Sequence, residues 1–82
     1  MLKELRAKEK VIGVKQSRRA IRDGRAQQVF LAVDADPALT EALEEQCLQQ
    51  QIPAVMEYTM QELGQAAGIQ VGAAVAALIK AQ

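Results

Sequence analysis

The most constraining stretch of this 82-residue sequence is VFLAV, residues 29–33. It is a continuous apolar run rich in branched and aromatic side chains, the pattern of a strand buried on both faces of a sheet. Such a strand needs one layer above it and another below. DADP follows at 34–37, where Asp36 is a good helix N-cap and Pro37 suits the first helical position. Leu39, Ala42, Leu43 and Cys47 then share one face of a helix running to about Gln51. Pro53 closes that helix and leads into a strand over roughly 54–57.

The remaining segments repeat this alternation. Thr59 and Glu62 have the spacing of a capping box, so a further helix starts there and ends at Gly68. GIQVG (68–72) reads as a loop with an apolar tip between two glycines, and AAVAALI (73–79) as a last buried strand. At the other end, residues 3–10 read as a short charged helix and Val11-Ile12 as the start of a brief strand. Helix and strand thus alternate along the whole chain. The pattern predicts an α/β protein, a three-layer α/β/α sandwich around a mostly mixed sheet of about four strands. The length suits a single domain over residues 1–82.

Composition narrows the chemistry. No window approaches the uninterrupted apolar length of a membrane helix, and the first ten residues alternate charge with short apolar side chains, so a soluble, cytoplasmic protein without membrane contact is expected. Histidine is absent and Cys47 is the only cysteine, which leaves no internal disulfide, no cysteine-based zinc site and no histidine base; no metal or cofactor is expected. Ser17, the only serine, falls on the inward face of a helix with no base in sequence reach. Asp34 and Asp36 stand two apart at a strand end, where acids sometimes hold magnesium, but a capping Asp36 beside a solvated Asp34 is the simpler reading. Cys47 lies on an apolar helix stripe and reads as a small buried hydrophobe. Gly64, Gly68 and Gly72 match no nucleotide-binding fingerprint; Gly64 suits close packing of its helix. The chain is not expected to be an enzyme.

A formal net charge of zero conceals a sharp segregation. Residues 1–25 carry nine Lys/Arg against Glu4, Glu9 and Asp23, a net +6, and the rest of the chain carries the balancing −6. Within GVKQSRRAIRDG (13–24), Lys15, Arg18, Arg19 and Arg22 occupy one arc of a helix, with Val14, Ser17, Ala20, Ile21 and Gly24 opposite. The arc interleaves no acids, and its cations are neighbours that repel one another. That uncompensated repulsion suggests an anionic ligand. The short apolar residues opposite are needed by the core and leave no insertion face for lipid. Phe30 and Tyr58, the only aromatics, cannot build a base-stacking platform. Charge and hydrogen bonding to a structured nucleic acid remain, with an acidic protein docked on the basic helix as the alternative.

Four ordered blocks carry a resemblance: GVKQSRRAIRDG (13–24), FLAVDADP (30–37), CLQQQIP (47–53) and ELGQAAGIQVGAA (62–74). In order and spacing they resemble the kink-turn-binding ribosomal proteins of the L-seven-Ae type, especially their small bacterial members, and the likeness spans residues 11 to 79. The resemblance implies the α/β/α fold and the binding, without catalysis or cofactor, of a kink-turn in ribosomal or riboswitch RNA. A kink-turn is an internal loop in which a bulge and tandem sheared G·A pairs bend a duplex sharply. Archaeal members place Asn-Glu and, three residues later, Lys against the guanine edges; the matching positions here are Lys15, Gln16 and Arg19. Lys-Gln is the bacterial pattern, and Arg19 keeps the cation of the usual Lys.

Guanine offers two acceptors on its major-groove edge, which Lys meets singly and Arg bidentately. An undistorted RNA major groove is too narrow for a helix, and a kink opens it. Arg18, Arg22 and Arg25 are better placed for phosphates, with Gly13 and Val14 also at the RNA backbone; by the resemblance, Ile69, Gln70, Val71, Gly72 and Ala73 pack against the bulged nucleotides. The protein is expected to act as a monomer. The 69–73 loop and the basic helix must then lie side by side.

Overall fold

A computed structural model describes residues 9–80. In chain order the elements are β1 (Lys10–Ile12), α1 (Val14–Arg22), β2 (Ala26–Leu31), α2 (Pro37–Gln49), β3 (Ala54–Val55), α3 (Met60–Ala67) and β4 (Val75–Ile79). The four strands form one mixed sheet in the order β1-β4-β2-β3. β4 runs antiparallel to both β1 and β2, while β2 and β3 are parallel and joined by a crossover through α2. The charged helix expected at 3–10 lies outside the described residues except for its end, where Lys10 belongs to β1 instead.

Alternation along the strands divides the core in two. Val29, Leu31, Val75 and Ala77 point to one face and pack with Ala20 and Ile21 of α1 and Leu43 and Cys47 of α2. Phe30, Ala32, Ala76 and Leu78 point to the other and pack with Leu63 and Ala66 of α3. Two helices therefore cover one face and α3 covers the opposite one, the three-layer arrangement that a doubly buried strand requires. Burying each Leu- or Phe-sized side chain contributes about 1.5–3 kcal/mol.

Several boundaries differ from the sequence reading for identifiable reasons. β2 starts at Ala26, earlier than VFLAV, because polar Gln27 and Gln28 mask its beginning; the register against β4 skips Gln27, an irregularity typical of a bulge. Val33, expected to be buried, is half-exposed, because β2 has ended and the chain is turning. On α2, Ala42 is exposed, and Thr40 takes the inward place beside Leu39, Leu43 and Cys47. The thiol of Cys47 is pushed up to about 11 by burial, reinforced by Glu44, which makes it an inert core group.

Helix ends follow local chemistry. Asp36 accepts from the Ala38 amide at 3.0 Å, and Thr59 and Glu62 form the reciprocal capping box. All three helices among the described residues close with the paired bonds of a Schellman motif: Arg25 to Ala20 and Gly24 to Ile21, Ile52 to Cys47 and Gln51 to Leu48, Ile69 to Gly64 and Gly68 to Gln65, each amide donating to a carbonyl. Gly24 and Gly68 supply the left-handed residue in two of them, but α2 uses Gln51 at φ 58° and so ends two residues before the point expected. Replacing that strained residue, Gln51→Gly, should raise stability by about 1 kcal/mol in urea or thermal denaturation.

Candidate nucleic-acid interface

Strand directions decide what meets at each end of the sheet. The C-terminal ends of β1, β2 and β3 and the N-terminal end of β4 share one end. The start of α1, residues 32–36, residues 56–59 and residues 68–74 all emerge there. Hydrogen bonds tie these segments together. Gly13 N–H donates to Val75 O at 3.0 Å, Ala32 N–H to Ala74 O at 2.9 Å, Val33 N–H to Tyr58 O at 2.9 Å and Ala73 N–H to Met60 O at 3.0 Å. The required neighbourhood is met: the first bond fastens the start of the basic helix to the exit of the 69–73 loop.

The basic helix has the two faces its spacing demands. Ser17, Ala20 and Ile21 are buried, Val14 is half-buried, and Lys15, Gln16, Arg18, Arg19 and Arg22 are exposed. The hydroxyl of buried Ser17 has no hydrogen-bond partner among the described residues. Val14, Lys15, Arg18, Arg19 and Arg22 line one shallow groove. Gly13 adopts φ 102°, open chiefly to glycine, and its amide is committed to Val75. Gln16 folds back over it, since a Cβ at Gly13 would stand 3.3 Å from Gln16 Oε1. The first turn of α1 carries no acid and no side-chain cap, so its amides and dipole add to the positive potential.

The cations are not equivalent. Arg22 Nε lies 3.2 Å from Asp23 Oδ1, and Arg25 Nε lies 3.9 Å from Asp23 Oδ2. Asp23 just past the helix therefore relieves the repulsion at the far end of the arc, a compensation the helical arc alone did not reveal. These exposed pairs are weak and screened, and Arg22 keeps most of its surface open. Lys15, Arg18 and Arg19 form no ion pair with a carboxylate among the described residues. The uncompensated charge sits nearer the start of α1, the end that meets the loop.

The 69–73 loop divides into anchors and a crest. Ile69, read from sequence as exposed, is half-buried against the α3-side core, because the Schellman bond turns it back onto the helix. Ala73 is buried, whereas Gln70, Val71 and Gly72 are exposed. Val71 is 71% accessible, the apolar tip expected of this segment. Gly64 explains the loop's position: a Cβ there would come within 2.1 Å of the Val71 carbonyl oxygen, so only a glycine lets the loop lie on α3. Sequence flagged Gly64 for close packing, but its partner lies seven residues away in a turn that spacing does not describe. A second groove runs beside the loop, lined by Asp34, Met60, Gln61, Gln65 and residues 69–72.

Asp34 does more than face solvent. Its Oδ1 accepts from the Met60 amide at 2.8 Å, a contact across 26 residues without a local sequence signal. Asp36 Oδ1 likewise takes the Ala38 amide, so both carboxylates serve backbone donors. Among the described residues no cluster of His, Cys, Asp or Glu could hold a metal ion, and no helix is long and apolar enough to cross a membrane. Phe30 is fully buried and half-buried Tyr58 packs against it at 6.3 Å between centroids, so the two do not form a paired stacking platform.

Comparison with known proteins places this arrangement. The model of the ribosomal protein L7Ae/L30e/S12e/Gadd45 family matches residues 1–82. The chain belongs to this family. An RNA-binding protein of Geobacillus sp. (strain WCH70) is 40% identical over 78 residues, covering 95% of each chain. The RNA-binding protein YbxF of Geobacillus stearothermophilus is 38% identical with the same coverage. Among solved structures, a 15.5 kD RNA-binding protein of Giardia lamblia superposes with a TM-score of 0.87 at 25% identity, over 99% of this chain and 69% of that one. The family is the one indicated by the four sequence blocks.

The Gly64 contact gives a direct test of how the family fold seats its loop here. Gly64→Ala should displace the Val71 carbonyl and destabilise the protein by about 1–3 kcal/mol in chemical denaturation. Ala66→Gly, on the same helix, offers a control in which helix propensity changes without a clash.

Proposed function

We propose that this chain is an RNA-binding protein that recognises and stabilises kink-turn motifs, a bulge with tandem sheared G·A pairs, in ribosomal or riboswitch RNA. One observation carries the reading: the bond from Gly13 to Val75 fastens the uncompensated basic start of α1 to the strand that follows the 69–73 loop, so the basic arc and the loop stand at one end of the sheet. A kinked duplex presents two features close together, opened guanine edges and unstacked bulge nucleotides. The two halves of this surface suit one each.

In this reading Lys15, Gln16 and Arg19, on the first two turns of α1, meet guanine edges. Arg18 and Arg22 meet phosphates and set register, and Val14 and the Gly13 turn bring the helix start close to the RNA backbone. Gln70, Val71 and Gly72 cover the bulged bases, with Ile69 and Ala73 holding them in place. The 69–73 backbone and small side chains serve where exposed aromatics are lacking. The protein acts as a monomer in the cytoplasm, without cofactor or catalysis, by binding the kinked conformer more tightly than the extended one and shifting the population toward it.

Gel-shift titration tests the reading with a kink-turn RNA and the same RNA carrying Watson–Crick pairs in place of its G·A pairs. Tighter binding of the first is expected. Equal affinity would contradict kink-turn recognition, and absence of RNA binding at moderate salt would favour an acidic protein partner on the basic helix.

Roles within α1 separate by salt dependence. Lys15→Ala or Arg19→Ala should cost about 1–3 kcal/mol and erode discrimination between the two RNAs. Arg22→Ala should weaken both RNAs alike and lower the salt slope by about one.

A further inference from the structure

The 69–73 loop contacts α3 at residues one turn apart. Ala73 N–H donates to Met60 O, a Cβ on Gly72 would lie 3.2 Å from Met60 Cβ, and the Val71 carbonyl rests on Gly64. Wherever the start of α3 goes, the loop crest goes with it. The local capping box already serves the Thr59 and Glu62 amides, and the Met60 amide, an unpaired donor of the first turn, is left over. Asp34 takes it at 2.8 Å from the turn after β2. That turn is itself pinned to both neighbours, through Ala32 to Ala74 and Val33 to Tyr58. The helix therefore needs no help from Asp34 to begin, and the bond's effect is on where the helix sits.

We propose that Asp34 is a positioning residue for RNA recognition, fixing the 69–73 loop at bulge height through the relay Asp34–Met60–Ala73. The proposal rests on the RNA-binding reading above and adds a residue outside its contact set. A carboxylate suits the place, because the first-turn amides and the helix dipole favour negative charge there. An amide oxygen would keep the bond while removing the charge.

The test uses the full chain and two RNAs, a kink-turn RNA with its bulge intact and the same RNA with abasic bulge nucleotides. Asp34→Ala should weaken binding of the intact RNA about fivefold and of the abasic RNA less than about twofold. Asp34→Asn should stay within about twofold of the parent on both, which separates the hydrogen bond from the carboxylate's repulsion of phosphate. In the free protein, hydrogen exchange at the Ala73 amide should accelerate in Asp34→Ala while the Ala32 amide is unchanged, so a folded but loosened loop is seen directly. Equal losses on both RNAs, or unchanged exchange at Ala73, would overturn the proposal. Failure of the parent protein to prefer the kink-turn RNA over its Watson–Crick-paired control would instead overturn the kink-turn reading, independently of any variant.

Discussion

β4 is the element on which the rest depends. It is the last strand in the chain yet lies inside the sheet, bonded to β1 on one side and β2 on the other. Val75, Ala76, Ala77 and Leu78 are all fully buried, two facing each helical layer. Its small alanines let helices approach from both faces, and its insertion joins an edge that contains β1 to a half that contains β2 and β3. The same insertion brings residues 68–74 to the end of the sheet where α1 starts. Core formation and assembly of the candidate interface are thus one event, because the strand that closes the sheet also carries the loop.

Much of this was legible in the residues. VFLAV demanded layers on both sides, Asp36-Pro37 and Thr59/Glu62 marked helix starts, and Gly24 and Gly68 marked helix ends. Each signal is local, resting on backbone donors within a few residues. Signals failed where the deciding partner is distant or the local rule is broken. Gln51 adopts the left-handed conformation that glycine usually takes, so Pro53 marked the close of α2 only to within two residues. Ile69 looked like part of an exposed tip, but the Schellman bond to Gly64 turns it inward. Asp34 looked solvated because its partner, the Met60 amide, is far along the chain. The basic arc was correct in phase, yet its grading depends on Asp23, a side chain beyond the helix that turns back toward Arg22 and Arg25.

That grading connects electrostatics to geometry. An exposed ion pair adds little stability, but it lowers the local potential. With Asp23 beside Arg22 and Arg25, the unbalanced field is concentrated near Lys15, Arg18 and Arg19, close to the start of α1. The loop crest stands at that same end, along with half-exposed Val33 and Met56. A partner that offers negative charge and unstacked apolar surface within one short span matches this pairing better than a uniform polyanion does. Fixed turns at Gly13 and Gly68, and the close approach of the loop to α3 at Gly64, hold the two parts in advance, which limits the ordering cost when a ligand arrives.

The central claim is that α1 and the 69–73 loop form one preassembled surface for a single RNA feature. Backbone amide shifts followed by NMR during titration with a kink-turn RNA test it most directly. Lys15–Arg19 and Gln70–Gly72 should respond together and saturate at the same RNA ratio, with the exposed side of α2 unaffected. Responses confined to α1, with the loop silent at saturation, would contradict it.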